Sequence, residues 1–373
     1  MDDSPAKSLV GTQLGEWLVI SKNAMGADAT GGCFSVTYKV TNQTTRQQAF
    51  LKAVDLIDKL GDPDRLRQEL NCYHYESQLL DACRGLDGVV RALSGGIHKY
   101  KLPIGIEVAV PYIVFEVADG DLRTHKGARL FNLEWRLRVF HGVCVAMRQL
   151  HALEIAHQDL KPSNVLLFGD NKAKIADLGR AIRRNDPLSV YNGDGHQGDN
   201  NYIPIELLYD QYSAGNWARR RLGADFFMMG CLLVYLVADV SLLTLIFSNL
   251  DRRYWPAAWR GTFEEVLPHL HMAFESAVAQ ATADIPENVR ASIIEMIGFF
   301  ACPDPRRRGS PFLWGDEWEN KRDANPAAYL AAQYSLEATI SRVDALATKT
   351  RLGASLNKTP FLKFFRSPFK RSV

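Results

Sequence analysis

The chain has 373 residues, 47% hydrophobic and 23% charged, with a formal net charge of +2. That is ample apolar material for a buried core, it excludes a disordered low-complexity chain, and the length suits a two-lobed enzyme with a tail. The near-neutral charge gives no global drive toward nucleic acid or an anionic membrane, so nucleic acid is not an expected partner.

Residues 1–15 are expected to form a loose leader; the acidic start Met1-Asp2-Asp3 lacks the basic-then-apolar signature of a signal peptide. Three β-branched and aromatic runs follow, Trp17 to Ile20, Phe34 to Val40 and Ala49 to Val54, and predict an antiparallel sheet. Between the first two lies a glycine-rich stretch holding Gly26, Gly31 and Gly32, with Phe34 at its end. Lys52 stands inside the third, otherwise apolar run, where a charge is costly without a partner; a snorkelling edge lysine is the alternative. A helix is expected from about Asp64 to Cys83, with Glu69 and Glu76 as candidate partners for Lys52. Two more strands are expected around Ile104 to Val110 and Tyr112 to Val117, running into Phe115-Glu116-Val117-Ala118-Asp119-Gly120-Asp121.

Apolar residues at three- and four-residue intervals then predict a helix from Leu133 to Leu153. It delivers the chain to His157-Gln158-Asp159-Leu160-Lys161-Pro162-Ser163-Asn164, followed by short apolar runs at Val165 to Phe168 and Ala173 to Ala176 and by Asp177-Leu178-Gly179. A phosphoryl-transfer site needs a carboxylate to accept a hydroxyl proton, a cation on the transferring phosphate and oxygen ligands for a metal. Asp159, Lys161, Asn164 and Asp177 supply these groups.

The two motifs resemble the H-R-D-L-K-x-x-N catalytic loop and the D-F-G metal-binding motif of the eukaryotic-type (Hanks-type) Ser/Thr protein kinases. The resemblance covers residues 15–310 and implies an α+β, two-lobed fold: a small β-rich lobe with one main helix over 16–117 and a larger helical lobe over 118–310. It implies Asp159 as the base that orients the acceptor hydroxyl and Lys161 as the cation on the γ-phosphate, with Asn164 and Asp177 as ligands of Mg²⁺ (or Mn²⁺). Lys52 paired with Glu76 would hold the α- and β-phosphates of ATP, with Glu69 in reserve as the partner. Gly31, Gly32 and Phe34 would belong to the loop over the phosphates, although a glycine-rich hairpin turn explains the same letters. The carbonyl of Glu116 and the amide of Ala118 would read adenine and Asp121 the ribose; a strand-to-helix turn capped by Asp121 is the other reading.

Further on, Tyr202-Ile203-Pro204-Ile205-Glu206 and Asp304-Pro305-Arg306-Arg307-Arg308 resemble the family's Y-x-A-P-E and D-P-x-x-R, which implies a Glu206–Arg308 ion pair. Asp225 is either a helix N-cap or the family's anchor for the catalytic-loop backbone. Gln158 replaces the arginine that often reads a phosphate on the activation segment, which the resemblance places at Arg180 to Ile205, so phosphorylation of that segment is not expected to be required. Asp199 replaces the threonine that bonds the catalytic lysine and aspartate, which weakens the expectation of efficient turnover.

The run Phe226 to Phe247 is long and apolar enough to span a bilayer; with Asp239 inside it and the motifs upstream, a buried helix is expected rather than a span. Six scattered cysteines with no C-x-x-C pair point to reduced, mostly buried thiols in a cytoplasmic protein. An amphipathic helix is expected over Pro326 to Thr348. From Lys349 the tail carries seven Lys/Arg, no acid and four phenylalanines, a composition that docks on anionic surfaces or on its own domain, or stays a disordered solubilising tail. The expected activity is transfer of the ATP γ-phosphate to a Ser or Thr of a protein, with autophosphorylation open; the alternatives are a nucleotide-binding pseudokinase and a small-molecule kinase.

Overall fold

A computed structural model describes residues 4–23, 35–102, 105–124, 133–169, 172–189, 198–211, 217–309 and 333–352. Its packing divides the chain into Met1–Asp119 with Asn185–Asn192, and Gly120–Arg184 with Gly193–Val373. The first unit is mainly β and the second mainly helical, the α+β composition expected.

The first unit is built on a six-stranded sheet in the order β1-β2-β3-β4-β6-β5, antiparallel at every pairing. Its strands are β1 (Gln13–Leu14), β2 (Trp17–Lys22), β3 (Ser35–Asn42), β4 (Gln48–Val54), β5 (Ala92–Lys101) and β6 (Glu107–Phe115). Period-2 alternation in β4 sends Ala49, Leu51 and Ala53 into the core and leaves Phe50 and Lys52 on the other face.

That core corrects the expected leader. Ala6, Leu9 and Leu14 are buried with Tyr38, Val40, Leu51, Ala53, Val110 and Val114. The Tyr38 hydroxyl donates to the Ala6 carbonyl at 2.6 Å, and the Ser4 hydroxyl donates to Asp55. Residues 4–14 are thus part of the unit, because the apolar sheet face would otherwise be open to water.

The expected pair of strands around Pro111 is also corrected. β6 is one strand through Pro111, which lies beyond the β4 pairing (Ala53↔Tyr112 is its last rung) and faces only Ile97 of β5. The second strand of the pair is Ala92–Lys101, whose Gly95-Gly96 and polar end hid it. A Cβ on Gly96 would lie 3.2 Å from the Tyr112 hydroxyl, so the glycine makes room for that ring.

Helix α1 (Pro63–Ala82) starts at Asp62, whose carboxylate accepts from Asp64 and Arg65 N–H, with Pro63 in the first turn. Its buried residues, Tyr73, Tyr75, Glu76, Leu79 and Leu80, recur at helical spacing, so Glu76 lies on the packed face.

In the second unit, α2 (Leu133–Ala152) leads to β8 (Ile155–Ala156) and the loop before β9 (Val165–Phe168); β9 pairs with β10 (Lys172–Ile175) and with β7 (Gly120–Asp121), and β8 with β11 (Ile182–Arg183). The long apolar run is two helices, α3 (Gly223–Ala238) and α4 (Leu242–Asn249). Asp239 in the left-handed conformation (φ 55°) ends the first, and Ser241 caps the second. The stretch Ala218–Ala238 is long and apolar enough to cross a membrane, and 78% of its apolar window is buried within the protein. It packs so closely on α6 (Glu287–Ala301) that a Cβ on Gly230 would lie 2.5 Å from that of Ala301.

Helix α5 (Phe263–Ala281) opens with a Thr262/Glu265 capping box. Helix α7 (Glu337–Leu352) packs along α2 through buried Val343, Leu346 and Ala347. Lys349, expected to open the tail, sits inside this helix and donates to the Asn288 carbonyl at 2.6 Å; the tail from residue 353 onward lies outside the described residues. Cys83, Cys144, Cys231 and Cys302 are buried thiols; burial pushes Cys144 and Cys231 well up and Cys302 up to about 11, so these three are protonated at neutral pH.

Candidate active site

In the first unit, Lys52 Nζ lies 3.0 and 3.1 Å from the two Glu76 oxygens. The neighbouring β4 and α1 faces leave these charges 22% and 10% exposed, so each satisfies a partner that would be costly to bury alone. This selects Glu76 over Glu69. Glu116 follows β6, with its N–H on the Arg91 carbonyl at 3.1 Å and its carboxylate on Arg91 N–H at 2.8 Å. Ala118 lies in the irregular segment before β7. Gly31, Gly32 and Phe34 fall outside the described residues.

In the second unit, the loop after β8 is tied down from below. Asp225, fully buried in α3, accepts from His157 N–H at 2.9 Å and Gln158 N–H at 2.8 Å. It also accepts from the Gln158 side-chain amide at 3.0 Å and from His151 Nε2 at 2.9 Å. The position preceding α3 belongs to Leu222, so Asp225 is the loop anchor and not an N-cap. Gln158 adopts φ 63° and turns its side chain inward, where its amide donates to the Arg221 carbonyl at 2.9 Å and its oxygen accepts from Arg221 Nη1 at 3.2 Å. His157 accepts from Asp159 N–H at Nδ1 (3.3 Å) and donates from Nε2 to the Ala176 carbonyl at 3.1 Å. That second bond joins the loop to the residue before Asp177.

These bonds hold the reactive groups together. Asp159 is 4% exposed, and its Oδ2 faces Lys161 Nζ at 3.1 Å and Asn164 Nδ2 at 3.2 Å. Asn164 Nδ2 also donates to the Asp159 carbonyl at 2.8 Å, and Ala176 N–H donates to the Asn164 carbonyl at 2.9 Å. Both of these amide bonds use Nδ2, and the Asn164 oxygen, which accepts a long bond from the Ser163 hydroxyl at 3.5 Å, keeps a second lone pair for a ligand. Asp177 follows in the left-handed conformation (φ 63°). Asp199 N–H donates to Asp159 Oδ1 at 3.0 Å. Asp121 lies in β7, where its carboxylate accepts from Thr124 N–H at 2.7 Å and meets Arg123 at 3.2 Å.

After α6, Arg308 is fully buried and meets both oxygens of Glu206, just past the activation segment, at 2.8 Å. The inward side chain of Gln158, the Arg221 partner and the His151 contact left no signal in the sequence.

The donors suit a divalent cation bound with nucleotide. Among the described residues no cluster of three His, Cys, Asp or Glu could hold a metal unaided. One carboxylate and one amide oxygen, completed by phosphates and water, is the way Mg²⁺ is ordinarily held at nucleotide sites.

Comparisons with known proteins agree. Residues 30–311 match the model of the protein kinase domain. The chain is 28% identical over 70% of its length to a mouse dual serine/threonine and tyrosine protein kinase, covering 26% of that protein. It is 22% identical over 57% of its length to an extracellular signal-regulated kinase of Dictyostelium discoideum, covering 53% of it. A rhodopsin kinase of Xenopus laevis is 29% identical over 32% of the chain, which covers 20% of that relative. The chain thus spans from a fifth to about half of the length of these relatives. With its β-rich and helical units and this loop geometry, the chain belongs to the protein kinase domain family.

Proposed function

We propose that the protein transfers the γ-phosphate of ATP to a serine or threonine hydroxyl of a protein, with Mg²⁺ or Mn²⁺ as the divalent cation. The observation that carries this reading is Asp159, buried yet bonded to Lys161 and Asn164 on a loop anchored to Asp225. Asp159 orients the acceptor hydroxyl and takes its proton, and Lys161 steadies the transferring phosphate. Asn164 and Asp177 would hold the cation, which supplies neutralisation of phosphate charge. Lys52, fixed by Glu76, positions the α- and β-phosphates, and Glu116, Ala118 and Asp121 belong to the nucleoside end. Lys161-Pro162-Ser163 supports serine or threonine as acceptor. A cytoplasmic setting, autophosphorylation and docking of the basic tail belong to the same reading.

The test is transfer of labelled γ-phosphate from Mg·ATP to the protein itself and to generic substrates, with phosphoamino-acid analysis, beside Asp159→Ala. Label on phosphoserine or phosphothreonine that is lost in the variant supports the reading. Nucleotide binding without transfer in the unaltered protein refutes it and points to a pseudokinase; label on tyrosine refutes the serine/threonine assignment.

A further inference from the structure

We infer that Asp199 is a positioning residue for phosphoryl transfer, using its carboxylate to hold Lys161 in place of the threonine of the family pattern; the inference rests on the kinase reading above. Three groups of this residue face three different partners. Its N–H donates to Asp159 Oδ1 at 3.0 Å. Its Oδ2 lies 3.7 Å from Lys161 Nζ. Its Oδ1 accepts from Asn201 N–H at 2.9 Å and from the Asn201 side-chain amide at 3.0 Å.

A hydroxyl at this position can donate to Asp159 but carries no charge. Here the main chain makes that donation, which releases the side chain. A carboxylate has two acceptor oxygens and no donor, so it can hold Lys161 and the Asn201 turn at once. Asn201 is itself tied to α4, because the Ser241 hydroxyl donates to its carbonyl at 3.4 Å. Asp199 therefore joins the catalytic loop to the end of the activation segment. The side chains of Asp199, Asp159 and Lys161 are only 20%, 5% and 13% exposed, so water screens their charges far less than at an open surface. The departure from threonine is a replacement that keeps the contacts, not an erosion of the site.

The test compares Asp199→Asn, Asp199→Ala and Asp199→Glu in the full chain. Asparagine keeps the main-chain bond to Asp159 and the turn at Asn201 but removes the charge facing Lys161. The expected result is an unchanged melting temperature and KM for ATP, with kcat lowered by about 10- to 100-fold. Alanine falls at least as far, and glutamate recovers part of the loss. Full kcat in Asp199→Asn overturns the inference, because the residue would then serve only the turn.

A second readout does not depend on turnover. Acetylation of Lys161, followed by mass spectrometry against exposed Lys99, should quicken several-fold in Asp199→Asn once the ammonium loses this partner. An unaltered protein that transfers no phosphate refutes the kinase reading alone. Acetylation of Lys161 at the wild-type rate in Asp199→Asn refutes the positioning role.

Discussion

Removing Arg308 should unfold the helical unit several degrees early. Its guanidinium is fully buried: Nη1 and Nη2 each meet Glu206 at 2.8 Å, Nη1 donates to the Gly223 carbonyl at 3.0 Å, and Nε and Nη2 donate to the Cys302 carbonyl at 3.2 and 3.0 Å. The Phe227 ring covers it at 4.9 Å. Burial works against the charge, but Glu206 more than offsets it, by attraction and by its hydrogen bonds, and keeps the group above the ordinary arginine pKa. Arg308→Met leaves Glu206, only 7% exposed, with no counter-charge. Breaking a buried pair on one side costs about 3–5 kcal/mol. At about 2–4 °C per kcal/mol for a unit of this size, the melting temperature should fall by about 6–20 °C. Replacing both partners, as Glu206→Leu with Arg308→Met, removes the orphaned charge and should recover much of that loss. Thermal melts of the two single variants and the double variant form the cycle. A fall under about 2 °C in Arg308→Met, or a double variant that loses the sum of the singles, would refute the argument that the cost is an uncompensated buried charge.

Phosphate-stripped protein should keep its activity, because Gln158 faces Arg221 and Asp225 instead of the activation segment and Ser189 is only 8% exposed; an inactive stripped preparation restored by phosphate on Ser189 would sink this. Ending the chain after residue 309 should leave it insoluble or melting far lower, since it uncovers α2 and removes Tyr334, Leu336, Val343 and Leu346, each 4% exposed or less and each contributing about 1.5–3 kcal/mol if large and fully buried; a soluble truncated chain with the full-length melting temperature would show α7 to be dispensable. Burial first, and Arg307 second, hold the His271 pKa below its ordinary value against the pull of Asp304, and burial also lowers His98 and His141. The unfolded chain therefore binds more protons below about pH 6.5, so these residues add stability above that pH and the contribution is lost as the pH falls. His271→Gln should flatten the loss of stability between about pH 6.5 and 5 in denaturant titrations; an unchanged slope would rule His271 out.

Much of the site was legible because its chemistry sits in short contiguous text. Asp159, Lys161 and Asn164 lie within one loop, and a loop with those groups between a helix and a strand has few other uses. Lys52 was legible as a charge in an apolar strand, and the resemblance already preferred Glu76 to Glu69 as its partner, a choice the 3.0 and 3.1 Å contacts bear out. The long apolar run was readable as a buried helix, but its break at Asp239 needed the backbone, since a left-handed residue leaves no hydropathy signal. β5 was hidden because Gly95 and Gly96 carry no strand preference: Gly96 makes room for the Tyr112 ring and Gly95 lies close to the Tyr112 carbonyl.

The sequence by itself determined the family and placed Asp159, Lys161 and Asn164 in one short loop, because these depend on local period and on residues adjacent in the chain. Only the tertiary structure decided what holds them. Residues 4–14 join the core because an open sheet face must be covered. Asp225 reaches the catalytic loop from 66 positions beyond Asp159, and Gln158 turns inward because Arg221 and Asp225 satisfy its amide there. Asp199 reaches Asp159 through its main-chain N–H, which every residue but proline carries, so no side-chain pattern announces the contact. Backbone donors and long-range carboxylates carry no pattern in sequence, so the support of the site became visible only once the chain was folded.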